Sequence, residues 1–154
     1  MNDKQTLTEI INKLSQVFFE IPFNRMLDLR LGEIKDDYIT LHFNMKNELI
    51  GNYVYGILHG GVTSSVLDMA GGVAVMVAAI KKRKNTNMDE LSEILSKAST
   101  INLHINYIRP GKGEHFIAKA FVVHSGNKIS FTRMELFNQD SVLIATGTGN
   151  YLIG

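Results

Sequence analysis

The sequence predicts an α+β fold in which an antiparallel sheet of about five to six strands wraps around one long central helix. Three observations carry this. Residues 59–82 form a long stretch that is apolar nearly all round, and a helix apolar on every side must be buried on every side. About five other segments alternate apolar and polar residues at the period of a strand. The last three of these are separated only by Ser125-Gly126-Asn127 and Asn138-Gln139-Asp140, turns short enough to join antiparallel neighbours in a meander.

The elements follow in order. Residues 1–22 hold an N-terminal helix: Thr6-Leu7-Thr8-Glu9 resembles a capping box, Leu7, Ile10, Ile11, Leu14, Val17 and Phe18 recur at helical spacing, and Pro22 lies beyond the end. Residues 27–34 and 38–45 read as strands joined at Asp36-Asp37. In the second, Tyr38, Thr40, His42 and Asn44 alternate with Ile39, Leu41, Phe43 and Met45. Residues 47–56 read as a loop leading to His59. After the central helix, residues 83–99 are polar, with a short helical pattern in MDELSEILSKA. INLHINYI, HFIAKAFVVH, ISFTRMELF and VLIATGTGNYLI then read as strands, the first broken at Arg109-Pro110-Gly111.

Composition bounds the class. At 154 residues, 45% hydrophobic and 20% charged, the chain reads as one globular domain, 1–154, with enough length to bury a core. A net charge of +1 lacks the basic excess of a general nucleic-acid binder. The absence of cysteine excludes disulfides, thiolate metal sites and cysteine nucleophiles. The N-terminus has no apolar signal-peptide core, so the cytoplasm is the expected location. Residues 62–80 tempt a membrane reading. A span needs roughly 20 apolar residues, whereas the run between Asp68 and Lys81 is only MAGGVAVMVAAI, and an unpaired acid inside a lone span is expensive. The segment is read as a core helix. One sheet covers only part of such a helix, so either the sheet wraps strongly around it or a second subunit covers the rest; both are expected, and with them a homo-oligomer.

The stretch HGGVTSSVLD, residues 59–68, is where chemistry concentrates. The first N–H groups of a helix have no intrahelical partner and sit in the positive potential of its dipole. Gly60 and Gly61 let a ligand approach that backbone closely, and such a site can hold a carbonyl oxygen that turns negative during acyl transfer. Two glycines can equally serve only to make a tight turn into the helix. Asp68 sits among small and apolar neighbours. It is either a structural acid bonded to the backbone or to Ser64 or Ser65, or a general base or nucleophile tuned by partial burial. Eight residues of helix separate it from Gly60 by about 12 Å, too far for one chain to bring both to one carbon, which needs contacts near 3 Å. Two such helices packed antiparallel resolve this. The acid of one chain then faces the glycine of the other, twice per dimer.

At these residues the chain resembles the hotdog-fold acyl-CoA thioesterases, in particular the PaaI-like branch, and within it the bacterial medium- and long-chain enzymes. The match runs through GILHGGVTSSVLDMAGGVA, then Tyr107-Ile108-Arg109-Pro110, then the closing ATGTGNYLIG. It covers roughly residues 25–154. The resemblance implies hydrolysis of a fatty or aryl acyl-CoA to free acid and coenzyme A, with no cofactor beyond the coenzyme A of the substrate. It implies that the Gly60 N–H, with Gly61 in the same helix start, polarises the thioester carbonyl, and that His59 orients it. Asp68 of a partner chain then activates water or attacks directly. Many relatives carry an Asn or Gln six residues before the histidine. Here that position is Tyr53, with Asn52 one residue earlier, so either the loop presents Asn52 or the water-orienting amide is missing. Thr100 falls where relatives place a Ser or Thr near the acid, yet its alternation groups it with Asn102 and His104, away from the apolar face.

Arg109, Lys112 and Lys128, near turns, are candidates for the phosphates of coenzyme A, or else solvated turn residues. Lys81-Lys82-Arg83-Lys84 reads as a solvated helix end complementing the dipole. Leu58, Val62, Met69 and Met76 suit an acyl tunnel or plain core packing. His42, His104, His115 and His124 fall on separate strands without a metal spacing. Ser64 and Ser65 lack the G-x-S-x-G elbow of serine hydrolases. Three alternatives remain in view: the thioesterase, expected as a homodimer and dimer of dimers; a hotdog dehydratase of 3-hydroxyacyl thioesters; and a non-catalytic acyl-CoA binder that would tolerate Asp68→Asn.

Overall fold

The computed structural model describes residues 3–83 and 87–153. The chain runs α1 (Asp3–Glu20), α2 (Pro22–Met26), β1 (Arg30–Ile34), β2 (Tyr38–Asn44), β3 (Ile50–Asn52), β4 (Ile57–Leu58), α3 (Gly60–Lys82), α4 (Met88–Lys97), β5 (Ser99–Tyr107), β6 (His115–Ser125), β7 (Ile129–Asn138) and β8 (Leu143–Leu152). Six strands form one antiparallel sheet in the order β1-β2-β6-β7-β8-β5, and β3 and β4 pair as a separate small ribbon. This is the hotdog arrangement: the sheet curls around α3, which packs most extensively on β6 and β7.

α3 has the length and composition to cross a membrane, but here Val66, Leu67, Ala70, Val73, Ala74, Val75, Val77 and Ile80 are buried in the protein core. The inward residues of the sheet meet it: Ile39, Leu41 and Phe43 from β2, Phe116, Ala118 and Ala120 from β6, and Met134 and Leu136 from β7. Phe43 stacks on Phe116 with ring centroids 5.1 Å apart. The alanines at the centre of β6 leave room for a helix backbone where larger side chains would hold it off.

Several expected boundaries shift. α1 begins at Asp3, so Thr6 lies inside the helix instead of capping it. Residues 27–29 are not strand, because Pro22 opens a second helix at a position where its missing N–H does no harm. The chain then turns at Asp28, with φ of 53°, before β1. The loop at residues 47–56 contains a short 3-10 turn at Asn47–Leu49 and the β3–β4 ribbon. The basic helix end is not simply solvated: Lys81 Nζ donates to the Lys35 carbonyl at 2.8 Å and Lys82 Nζ to the Ser125 carbonyl at 2.6 Å. The two lysines tie α3 to the β1–β2 turn and to the end of β6. Lys84 lies outside the described residues.

Candidate active site

His59 is the N-cap of α3. Its Nδ1 accepts the Gly61 N–H at 2.8 Å. With Nδ1 accepting, the proton of the neutral ring sits on Nε2, which is left as a donor. This capping consumes the Gly61 N–H. The Gly60 N–H has no acceptor among the described residues, and the helix carbonyls behind it add their dipole. Tyr107 closes over this end of the helix, its hydroxyl donating to the Gly60 carbonyl at 2.9 Å. A cleft of about 330 Å³, lined by Ile57, Leu58, Gly60, Tyr107 and Arg109 among others, opens beside it.

Asp68 sits two turns along the same helix, at a different cleft. Its Oδ1 accepts the Thr100 hydroxyl at 2.9 Å and lies 3.2 Å from the Tyr151 hydroxyl. The same hydroxyl is 3.0 Å from the Asp68 backbone carbonyl, so one proton is shared between two acceptors. Ser64 and Ser65 do not reach the acid; both hydroxyls donate back to the Gly61 carbonyl, at 3.1 and 2.7 Å. Oδ2 is left without a donor among the described residues and Asp68 is half-buried, so one carboxylate oxygen is free for water or substrate.

Thr100 arrives there through a β-bulge. Thr100 pairs with Tyr151 but Asn102 pairs with Asn150, so Ile101 is an extra residue on β5. A bulge breaks the period-2 alternation. Thr100 therefore shares the inward face with Tyr151, and the alternation that grouped it with Asn102 and His104 is overturned. Tyr151 itself was not singled out from the sequence. Its ring fills a slot between two glycines: an added Cβ at Gly71 would lie 2.3 Å from its hydroxyl oxygen, and one at Gly149 would lie 2.9 Å from its ring. Burial, and then the neighbouring Asp68 carboxylate, push the phenol far above its ordinary value, so it stays a donor. The readable signal was an aromatic with a polar tip on the closing strand, two residues after a glycine.

The other candidates scatter. Asn52 caps its own turn, its Oδ1 accepting from the N–H groups of Val54 at 3.1 Å and Tyr55 at 3.4 Å; Tyr53 points outward, 86% exposed. Arg109 donates from Nη1 to the Leu143 carbonyl at 3.1 Å beside the Gly60 cleft. Lys112 lies 5.7 Å from the Tyr55 ring centre. Lys128 sits in the β6–β7 turn, its carbonyl bound by Ile153 N–H, at the end of the sheet nearer Asp68 and remote from Arg109 and Lys112. His42 and His115 are brought together across β2 and β6, Nδ1 to Nε2 at 3.0 Å, but among the described residues no group of three potential metal ligands forms.

The six-stranded sheet wrapped around one long helix is the fold of the thioesterases, and the chain belongs to the thioesterase superfamily, whose family model matches residues 55–145. It is 35% identical over 150 residues to the medium/long-chain acyl-CoA thioesterase YigI of Salmonella typhimurium, with 97% of each chain covered. It is 25% identical over 145 residues to mouse acyl-coenzyme A thioesterase 13, covering 92% of this chain and 93% of that one. A crystal structure of a thioesterase-superfamily protein from Shewanella oneidensis superposes with a TM-score of 0.91 at 37% identity, covering 97% of this chain and 98% of that one.

Proposed function

We propose that the protein hydrolyses medium- and long-chain acyl-CoA thioesters to a free acid and coenzyme A at a site shared by two subunits. One observation carries the reading: the two half-sites lie at opposite ends of the same edge strand. Thr100, near the start of β5, holds Asp68; Tyr107, at its end, holds Gly60. Two β5 edges paired antiparallel about a two-fold axis near Leu103 and His104 set Thr100 opposite the partner's Tyr107. Asp68 then faces the partner's Gly60, closing the gap of about 12 Å that one helix imposes.

In this site the partner's Gly60 N–H and helix dipole stabilise the thioester oxygen as negative charge develops on it. The partner's His59 presents its Nε2–H beside that oxygen. Asp68, held through Oδ1 by Thr100 and Tyr151, uses Oδ2 to take a proton from water as the water oxygen attacks the carbonyl carbon, or attacks that carbon itself to give, once the thiolate has left, a mixed anhydride that water hydrolyses to the free acid and the Asp68 carboxylate. The C–S bond breaks, the thiolate of coenzyme A leaves and takes up a proton, and the acid is released. Arg109 and Lys112 stand on the Gly60 side, where they meet the phosphates of coenzyme A. The carboxylate, water and backbone dipole suffice without a metal or other cofactor. Asn52, engaged in its own turn, is not assigned the water.

The test is free-thiol release from a panel of acyl-CoA chain lengths, with Asp68→Asn alongside. Release by the native protein and its loss in Asp68→Asn support the mechanism. Unaltered turnover in Asp68→Asn would overturn it, and no turnover at any length, with binding retained, would point to an acyl-CoA binder. Sharing is tested by co-purifying an Asp68→Asn chain with a Gly60→Pro chain. Mixed dimers regain one intact site and part of the activity; no recovery, with mixing confirmed, rejects it.

A further inference from the structure

The outer face of the sheet carries a continuous chain of hydrogen bonds that the candidate site does not use. It begins at a β-bulge. Leu31 pairs with Leu41 and Ile34 with Ile39, so Gly32 and Glu33 of β1 together face Thr40 of β2. A bulge interrupts the ladder of backbone bonds, and here a side chain makes up the loss: the Glu33 N–H donates to Thr40 Oγ1 at 2.8 Å. Thr40 Oγ1 lies 3.2 Å from His42 Nε2, His42 Nδ1 lies 3.0 Å from His115 Nε2, and His115 Nδ1 lies 2.8 Å from Asn44 Oδ1. β1 lies hard against this chain, because a Cβ at Gly32 would collide with His42 Nε2 and Thr40 Oγ1.

The end of the chain at Asn44 fixes the direction of every proton in it. An amide oxygen only accepts, so a neutral His115 carries its proton on Nδ1 and accepts at Nε2. His42 then donates from Nδ1 and accepts at Nε2, where the Thr40 hydroxyl donates. The Thr40 oxygen is left to accept the Glu33 N–H, which only donates. With both rings neutral all four links are satisfied, and no other placement of the protons satisfies them. An added proton finds no vacant ring lone pair. On His42 Nε2 it makes a cationic donor that competes with the Glu33 N–H for the Thr40 oxygen. On His115 Nε2 it sets two N–H groups face to face.

We infer that this chain is a pH-sensitive clasp, which holds β1 on the sheet while both rings are neutral and frees the middle of the strand when it takes up a proton. Both imidazoles are half-buried, and a charge is costlier there than in an opened strand, so proton uptake favours opening. The surrounding charges act on the same balance. Arg30 of β1 opposes uptake at His42 and Glu33 of β1 favours it. β6 adds Lys119, opposite Thr40, and β7 adds Glu135, opposite Lys119. β1 also carries α1 and α2 into the sheet, and Phe18 of α1 lines the cleft at Asp68, so an acid-loosened β1 is felt at the site through α1.

The test reads protons and backbone exchange rather than turnover, so its outcome is separate from that of the catalytic reading. Nitrogen-15 NMR of the full chain is expected to show, at about pH 7.5, both His42 and His115 with the proton on Nδ1, the form each ring takes only when a partner at Nδ1 selects it. Hydrogen exchange at the Glu33 amide, corrected for its intrinsic rate, should lose up to about tenfold of protection per pH unit once the chain takes up its proton. In His42→Gln that pH dependence should disappear, whereas Lys119→Gln, which removes a neighbouring cation and leaves the chain whole, should keep it. Three outcomes overturn the inference: either ring protonated on Nε2 at about pH 7.5, Glu33 protection independent of pH in the native protein, or an undiminished pH dependence in His42→Gln. The first two are read on the native protein and hold even if the variant does not fold.

Discussion

β1 and β5 close the two sides of one sheet; each carries one irregularity of register, but they differ in length and in charge. β1 is five residues long, carries Arg30 and Glu33, and has an irregular register between Leu31 and Ile34. Short, charged and bulged edges resist pairing with another chain. β5 is nine residues long, STINLHINY, with no lysine, arginine, acid or proline, and it pairs regularly with β8 from Asn102 to Tyr107. Most of it is exposed. One edge is guarded and the other is not, and the unguarded one has Asp68 bonded near its start and Gly60 near its end. On the shared-site proposal a second copy covers this edge, and the position of the half-sites gives that copy a chemical role.

The largest expected effect is at the acid. Asp68→Asn keeps the shape and removes the base, lowering kcat by about 10²–10⁴-fold with KM little changed, as steady-state thiol release would report. Next comes the edge itself. His104→Glu sets two like charges together at the centre of paired β5 strands, which weakens the dimer at least about tenfold; sedimentation should show monomer, and activity should fall with it. The matching change on the other edge, Arg30→Ala, should leave both untouched. If His104→Glu were monomeric and fully active, the shared site would be wrong.

Smaller effects sharpen the acid end. Gly71→Ala overpacks the Tyr151 slot and should destabilise the fold by about 1–3 kcal/mol in urea, whereas Gly72→Ala should be neutral or stabilising by up to about 1 kcal/mol. Thr100→Val keeps the bulk and loses the hydroxyl on Asp68, lowering kcat about tenfold through one missing charge-assisted hydrogen bond. The smallest effect belongs to the guarded side. Burial, then the facing His115 and the Arg30 charge, lower the His42 pKa below its ordinary 6.5. Above 6.5 both folded and unfolded chains hold it neutral; below, the unfolded chain takes up the proton first, so stability declines as pH falls towards the folded value. Thermal melts between pH 7 and 5 should decline less steeply in His42→Gln, and activity at pH 7 should be unchanged.

The fold was legible because its strongest signals are long and periodic. α3 has no polar face, and β6, β7 and β8 alternate between short turns. Residues 27–29 misled because apolar residues before a strand look like strand, and only Pro22 hinted at another helix. In the candidate site, His59, Gly60 and Asp68 could be singled out because a glycine pair and a carboxylate are unusual at a helix start and in an apolar run. Tyr151 offered only a weak signal, a phenol two residues after Gly149, because its slot is made by Gly71, eighty residues away along the chain. Thr100 was assigned to the wrong face by its alternation because nothing in TINLH announces the extra residue at Ile101.

That extra residue has a consequence for how this strand tolerates change. A strand is a counter modulo two, and Ile101 resets the count between the acid's partner and the rest of β5. Deleting it would leave composition and hydropathy almost untouched while turning the threonine hydroxyl outward, away from the carboxylate. Adding a residue elsewhere between Thr100 and Leu103 would do the same. Length between these two positions therefore matters more to the geometry than residue type, and a gap there in a comparison of related chains should be read as a change of parity at the acid.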